Sequence, residues 1–112
     1  MKTEMKNRKF FIATYIDFEE VKQSIDNNLP TYLTVDCDVF DPSIFLGVTY
    51  SFPGRWLYQD FLNIIHNILH NVNIIAVDFV EFNSQFDFGN VSISTLTSSI
   101  LDILAIVGER HG

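Results

Sequence analysis

Two short apolar segments, each ending in acidic residues, most constrain the fold of this chain. The segments TYLTVDCD (31–38) and NIIAVDFVEF (73–82) are rich in the β-branched and aromatic residues that favour strands. The second is apolar at nearly every position, which is typical of a parallel strand covered on both faces. Because helical patterns alternate with these strands, the sequence predicts an α/β fold with parallel strands and right-handed crossovers.

The predicted element order is β-α-β-loop-α-β-α, in a single domain of residues 1–112. We expect a three-layer α/β/α arrangement around a parallel sheet. The predicted elements are a strand at 10–16, a helix at 17–29, a strand at 31–38, a long ordered loop at 41–56, a helix from about Tyr58 to Leu69, a strand at 73–82 and a last helix at 92–108 that ends at Gly108.

Composition narrows the function classes. The 112 residues carry a formal net charge of −7, so we expect no nucleic-acid partner. We find no segment that approaches the length of a membrane span and predict no membrane partner. The single cysteine, Cys37, excludes an internal disulfide and favours a reducing, cytoplasmic location.

Four carboxylates lie where the second and third predicted strands end. Asp36 and Asp38 close one strand, and Asp78 and Glu81 close the other. Sites in open α/β sheets form at the carboxyl ends of the strands, so we expect these side chains at one rim. A strand period of two places Asp36 and Asp38 on one face, with Cys37 turned away. Such a pair can bind one hard or borderline cation or bridge two.

The segment YLTVDCDVFDP resembles the aspartate-rich signature D-x-D-x-x-D-P of the ureohydrolase family, which includes arginase, agmatinase and formimidoylglutamase. The loop that follows retains a few glycine and proline positions of the family pattern P-G-T-G-T-P-E-P-G-G. The segment VDFVEFNSQFD resembles the later D-x-x-E motif. The matching positions are Asp36, Asp38, Asp41, Pro42, Gly47, Pro53, Gly54, Asp78, Glu81, Asn83 and Asp87.

The resemblance implies the C-terminal part of an arginase-like fold and the roles of five residues. Asp36 and Asp38 would be ligands of a binuclear Mn²⁺ centre that activates water for attack on a guanidino or formimidoyl carbon. Glu81 would face the small cationic substrate. Asp41 and Asp78 would position the metal ligands without binding the metal themselves, and Asp41 would fix the turn that carries those ligands.

The sequence departs from the family pattern in ways that leave its activity open. Family members carry G-G-D-H-like and D-A-H-x-D segments in a first half that this chain lacks, and those segments supply both histidine ligands. Leu46, Ser51, Arg55 and Ser84 replace family prolines and a glycine. Three hypotheses follow: a hydrolase completed by a second polypeptide, a non-catalytic remnant that self-associates, and a regulatory or interaction module built on that remnant.

Several other residues have two readings. His66 and His70 stand four residues apart as in zinc sites, yet we interpret them as a solvated helix face. Cys37 is interpreted as an inert, half-buried thiol. The aromatic cluster Tyr50, Phe52 and Trp56 fits either a substrate lip or a core or interface cluster. Arg55 fits either a contact with a substrate carboxylate or a surface position.

Finally, the composition predicts association. Hydrophobic residues make up 47% of the chain, which exceeds what a free-standing domain of this length needs to bury. We therefore expect a homo-oligomer or a complex with a complementary chain. The candidate surface comprises Phe10, Phe11, Tyr15 and the helical segment from Ile100 to Val107.

Overall fold

A computed structural model describes the fold for residues 2–5, 8–11 and 29–111, with side chains described for residues 29–109. Its elements are β1 (Lys2–Met5), β2 (Arg8–Phe11), β3 (Thr31–Asp36), α1 (Tyr58–Asn71), β4 (Ile74–Val80) and α2 (Val91–His111). Short 3₁₀ turns, Cys37–Val39 and Ser84–Phe86, follow β3 and β4. The α/β class predicted from the sequence is confirmed.

The strands β3 and β4 form a parallel pair whose carboxyl ends meet at one edge. The register pairs Thr34 with Asp78 and Asp36 with Val80. One face of the pair carries Val35, which is buried, together with partly buried neighbours that pack on the core. The other face, with Tyr32 among its side chains, is exposed to solvent within the described part of the chain. The helix predicted at 17–29, which would add another layer, lies almost wholly outside the described residues.

Both described helices pack on the same apolar core. α1 buries Phe61, Ile65, Ile68 and Leu69, as its predicted spacing indicates, and α2 adds Ile103 and Ile106. At the centre the ring of Phe40 stacks on Phe45 at 5.4 Å between centroids and tilts against Phe61 at 4.9 Å. Each fully buried Phe side chain contributes about 1.5–3 kcal/mol relative to an exposed one. The aromatic content is thus explained in part by this core.

The predicted long loop is ordered, because its two ends are bonded to each other. The Asp41 amide donates to the Trp56 carbonyl at 2.8 Å, and the Trp56 amide donates to the Val39 carbonyl at 3.0 Å. Phe45 and Val48 of this loop are buried in the core. The loop therefore packs as part of the domain and returns to the end of β3.

Three expectations differ from the structure. The strand predicted at 10–16 is described only at Phe10 and Phe11, where it belongs to β2 and pairs antiparallel with β1. β1 and β2 are too short and polar to produce the apolar alternation that a sequence pattern relies on. The helix predicted to end at Gly108 instead continues to His111, because a glycine inside a helix costs only about 1 kcal/mol.

The third difference concerns α2. The stretch Val91–Glu109 is long and apolar enough, by length and composition alone, to cross a membrane. Our statement that no segment approaches that length is therefore wrong. Ile103 and Ile106 of α2 nevertheless belong to the core, and Asp102 accepts a hydrogen bond from Tyr58. We interpret α2 as a core helix with one uncovered face.

Candidate functional site

The two aspartates of the D-x-D motif lie where β3 turns into a 3₁₀ helix. The strand ends at Asp36, two residues earlier than predicted, because its carboxylate accepts a hydrogen bond from the Asp38 amide at 3.1 Å. Asp36 is exposed and Asp38 is partly buried, whereas Cys37 is fully buried between them. Cys37 therefore points away from Asp36 and Asp38, as strand alternation predicted, but a 3₁₀ turn and not a continued strand produces this arrangement.

Neighbouring carboxylates at the rim make Asp38 harder to ionise. Burial, followed by the charge of Asp36 and a hydrogen bond with its carboxyl group, raises the pKa of Asp38 above its usual range. Glu81 adds to this effect and Arg55 opposes it. A bound cation would relieve the repulsion among these carboxylates.

Glu81 follows β4 directly and has a left-handed backbone, with φ of 67°. This conformation costs a non-glycine residue about 1–2 kcal/mol, so neighbouring contacts must hold it. The Asn83 amide donates to the Gly47 carbonyl at 2.6 Å, and Phe82 packs edge-on against Phe45. The segment around Glu81 is therefore anchored to the long loop and to the core. As predicted, the parallel register places Asp36 and Glu81 at the same edge of the sheet pair. That these two residues form a site together with Asp38 stays a prediction.

Asp41 holds the long loop together. Its two carboxylate oxygens accept hydrogen bonds from the Ser43 amide at 2.9 Å and the Gly54 amide at 2.8 Å. These bonds, that from Ser43 first, lower the pKa of Asp41. Gly54 has φ of 81°, a conformation that favours glycine. This arrangement matches the turn-holding role that the resemblance implies for Asp41.

Asp78 is placed differently from the prediction. It lies inside β4, opposite Thr34 and two residues before the strand end, so it is not at the rim. One carboxylate oxygen accepts a hydrogen bond from the Tyr32 hydroxyl. The other, Oδ1, is buried and has no hydrogen-bond partner among the described residues. The expectation that all four carboxylates meet at the rim is wrong for Asp78, because the parallel register sets it one pleat back. Its supporting role stays a prediction.

The burial of the remaining candidate residues differs from one to the next. Cys37 is fully buried rather than half-buried, and burial, followed by the Asp36 charge, raises its pKa to about 12. An inert thiol is the expected consequence. Tyr50 and Phe52 are exposed, whereas Trp56 packs against the core. The Arg55 guanidinium lies 5.3 Å from the centre of the Phe52 ring.

Sequence reasoning missed Ser92, and it matched Asp87 to the family motif without giving it a role. Ser92 is fully buried at the start of α2, and its hydroxyl accepts a hydrogen bond from the Gly47 amide at 2.8 Å. Asp87 accepts from the Ser92 amide at 3.0 Å and from the Phe88 amide at 2.8 Å, and so begins α2. The sequence separation of 45 residues between Gly47 and Ser92 leaves no local pattern to detect.

The donor set suits a hard or borderline divalent cation but completes only part of its shell. Asp36 and Asp38 supply carboxylate oxygens, the ligands that Mn²⁺ and Mg²⁺ prefer. Such ions take about six ligands. Among the described residues, the carboxylates of Asp36, Asp38 and Glu81 do not place one oxygen each within 4.8 Å of the others. A metal at this edge would therefore need movement of these side chains and further ligands from another segment.

Comparisons with known proteins agree with this geometry. The sequence profile of the arginase family matches residues 7–105. The chain is 31% identical over 93 residues to an agmatinase from Sodalis glossinidius (strain morsitans), a match covering 83% of this chain. It is 45% identical over 56 residues, half of this chain, to "Arginase 1, mitochondrial" from Oryza sativa subsp. indica.

Solved structures show the same fold. The arginase from Medicago truncatula superposes with a TM-score of 0.54 at 33% identity, over 64% of this chain and 22% of that one. The arginase from Bacillus caldovelox superposes with a TM-score of 0.66 at 23% identity, over 76% of this chain and 29% of that one. The chain spans only 30% of the Sodalis agmatinase and 16% of the rice arginase. With a profile match over nearly its whole length, the chain belongs to the arginase family.

Proposed function

We propose that this chain contributes the C-terminal half of a manganese-dependent ureohydrolase site. Asp36 and Asp38 would be metal ligands, and Glu81 would bind the cationic part of a guanidino or formimidoyl substrate. The observation that carries the proposal is the placement of these three residues at the carboxyl edge of β3 and β4 in a chain of the arginase family.

Bound manganese would supply Lewis acidity and a water nucleophile at neutral pH. Glu81 would orient a guanidinium or amidinium group through charge-assisted hydrogen bonds. Its left-handed backbone fixes where the Glu81 side chain leaves the chain, beside the end of β4. Asp41, through Gly54, keeps the loop that carries Arg55 near the rim.

Activity would require ligands from outside this chain. The chain corresponds to less than a third of the agmatinase and arginase relatives, and the rim offers two or three of about six ligands. We therefore expect weak Mn²⁺ binding by the chain alone, and urea release only after a complementary segment is added.

Manganese titration followed by electron paramagnetic resonance tests the metal proposal. Binding should be weak in the wild-type chain, lost in Asp38→Asn and unchanged in Asp60→Asn. Asp60 is a suitable control because its carboxylate accepts from the Leu57 amide at the start of α1. Equal binding in all three proteins would refute the assignment of Asp38.

The activity test adds a separately expressed N-terminal segment of an arginase-family protein that carries the D-A-H-x-D motif. Urea release from arginine and from agmatine, with Mn²⁺ present, should require both chains and should fall in Glu81→Gln. Metal binding without urea release from either compound, or from a formimidoyl substrate, would contradict the catalytic part of the proposal.

A second candidate is a partner-binding module, and exposed apolar side chains favour it. Tyr32 and Ile75 are 58% and 66% exposed on the sheet pair, and Leu101 and Leu104 are 60% and 61% exposed on α2. We propose that a second copy or a complementary chain covers them, burying on the order of 1,200 Å² or more. The side chains of Phe10 and Phe11 and all of Tyr15 lie outside the described residues. Sedimentation at low micromolar concentration tests this, and a monomer would refute self-association.

A further inference from the structure

The helix α1 presents two histidines on its exposed side. His66 and His70 lie one turn apart, with ring centroids 4.2 Å apart and planes inclined by 36°. Residues four apart share one face of a helix, so both imidazoles can reach the same point. From the sequence alone this pair fits a solvated face, because the histidines share that face with Asn63 and Asn67 and no Glu follows His66 as in a metalloprotease helix.

The structure supplies the third ligand from the other helix. Glu109 of α2 lies across from the two histidines, and one ligand atom from each of the three residues falls within 4.8 Å of the others. A tetrahedral Zn²⁺ with ligands at about 2.0–2.1 Å requires ligand atoms about 3.4 Å apart. The ligand atoms must therefore approach one another by at most about 1.4 Å, which is within reach of side-chain rotation. All three residues are exposed, so this rotation disturbs no core packing.

The surroundings leave these groups available. Within the described side chains, no hydrogen bond or ion pair holds His66, His70 or Glu109, and the two tilted imidazole rings contact each other. His66 and Glu109 border an open groove of about 740 Å³ between α1 and α2. The side chains that line this groove include no Lys or Arg to neutralise Glu109. The net charge of −7 also favours a cation.

We propose that His66, His70 and Glu109 form a transition-metal site that joins α1 to α2 and prefers Zn²⁺ to Mn²⁺. Two imidazoles and one carboxylate form a ligand set used by zinc enzymes, in which the fourth position is open to water or an incoming ligand. Imidazole ligands favour Zn²⁺, Cu²⁺ and Ni²⁺, whereas Mn²⁺ prefers oxygen ligands. This site is separate from the carboxylate rim and does not depend on the function proposed for it.

Isothermal titration of the full chain with Zn²⁺, and Co²⁺ absorption as a geometric probe, tests the site. We expect one zinc site that His66→Ala, His70→Ala and Glu109→Gln each weaken by at least about tenfold. Asn67→Ala, on the same helix face, and His111→Ala are matched controls that should bind as the wild type does. Asp38→Asn should also bind zinc normally, because it alters only the rim.

Thermal unfolding provides a second measurement. Zn²⁺ should raise the midpoint of the wild-type chain, because a ligand that binds the folded state stabilises it. It should have little effect on the His70→Ala variant. Circular dichroism of each variant without metal identifies any that fail to fold.

Three results would overturn the proposal. Zinc binding that is lost only in Asp38→Asn would assign the ion to the rim. Zinc binding that depends on the histidines but is unchanged in Glu109→Gln would place the ion on α1 alone, and the proposed link between α1 and α2 would be absent. Binding that is lost in His111→Ala, or that is equal in all variants, would refute the ligand set.

Discussion

The substitution Gly47→Ala tests how the long loop supports the candidate rim. Gly47 is buried, and its carbonyl accepts from the Asn83 amide two residues beyond Glu81. A Cβ atom at this position would lie 2.7 Å from Cε1 and 3.1 Å from Cδ1 of Phe82, and 3.1 Å from the Ser92 hydroxyl oxygen. Because carbon atoms normally pack at about 3.5–4.0 Å, Phe82 must move by several tenths of an ångström or more.

The expected cost follows from this overlap. Extra atoms in a packed site destabilise a protein by about 1–3 kcal/mol. We expect the upper part of that range, about 2–3 kcal/mol, because Phe82 is confined by its edge-on contact with Phe45, at 5.7 Å between ring centroids. At about 4 °C per kcal/mol for a domain slightly over 100 residues, the thermal midpoint should fall by roughly 10 °C.

Urea and thermal unfolding followed by circular dichroism measure the effect, and Gly108→Ala is the matched control. Nothing lies within 4 Å of a Cβ atom at Gly108, which is inside α2. Alanine there should stabilise the chain by about 0.5–1 kcal/mol through helix propensity. The same chemical change should therefore have opposite signs at the two sites.

A double variant isolates the clash. Phe82→Leu removes the ring atoms that the new Cβ would meet, so the costs of Gly47→Ala and Phe82→Leu should sum to more than the cost measured for the pair, by about 0.5 kcal/mol or more. A Gly47→Ala chain as stable as the wild type, or strictly additive costs in the double variant, would refute this account of the loop.

Three further outcomes are expected. Ser92→Ala leaves the buried Gly47 amide without its acceptor and should cost about 1–3 kcal/mol, measured from the urea midpoint. Phe61→Ala, at a fully buried ring, should cost about 3–5 kcal/mol, and a cost below 1 kcal/mol would contradict the core assignment. Burial, followed by the hydrogen bond to Asp102, raises the pKa of Tyr58. Above about pH 10 the unfolded chain therefore releases this proton first, and stability falls as the pH rises. Tyr58→Phe should show a smaller fall between about pH 9 and 11, and an equal fall would assign the effect to other groups.

Local sequence patterns were sufficient to predict the strands and helices of the described core and the acidic residues at the ends of β3 and β4. β-branched runs and helical spacing are local signals, and they predicted β3, α1 and β4 with errors of about two residues at the ends. The D-x-D spacing at a strand end, with D-x-x-E at the next, predicted that Asp36, Asp38 and Glu81 would meet. The structure places the ends of β3 and β4 side by side, because parallel strands bring their carboxyl ends to the same edge.

Tertiary structure alone decided which distant residues touch. Register set Asp78 one pleat inside the sheet, packing brought Ser92 to Gly47, and the pairing of α1 with α2 brought Glu109 to the two histidines. These contacts depend on how helices and strands dock, which no local periodicity records. Local patterns specify which face of an element is apolar, whereas only the docked arrangement of those faces determines which polar groups become neighbours.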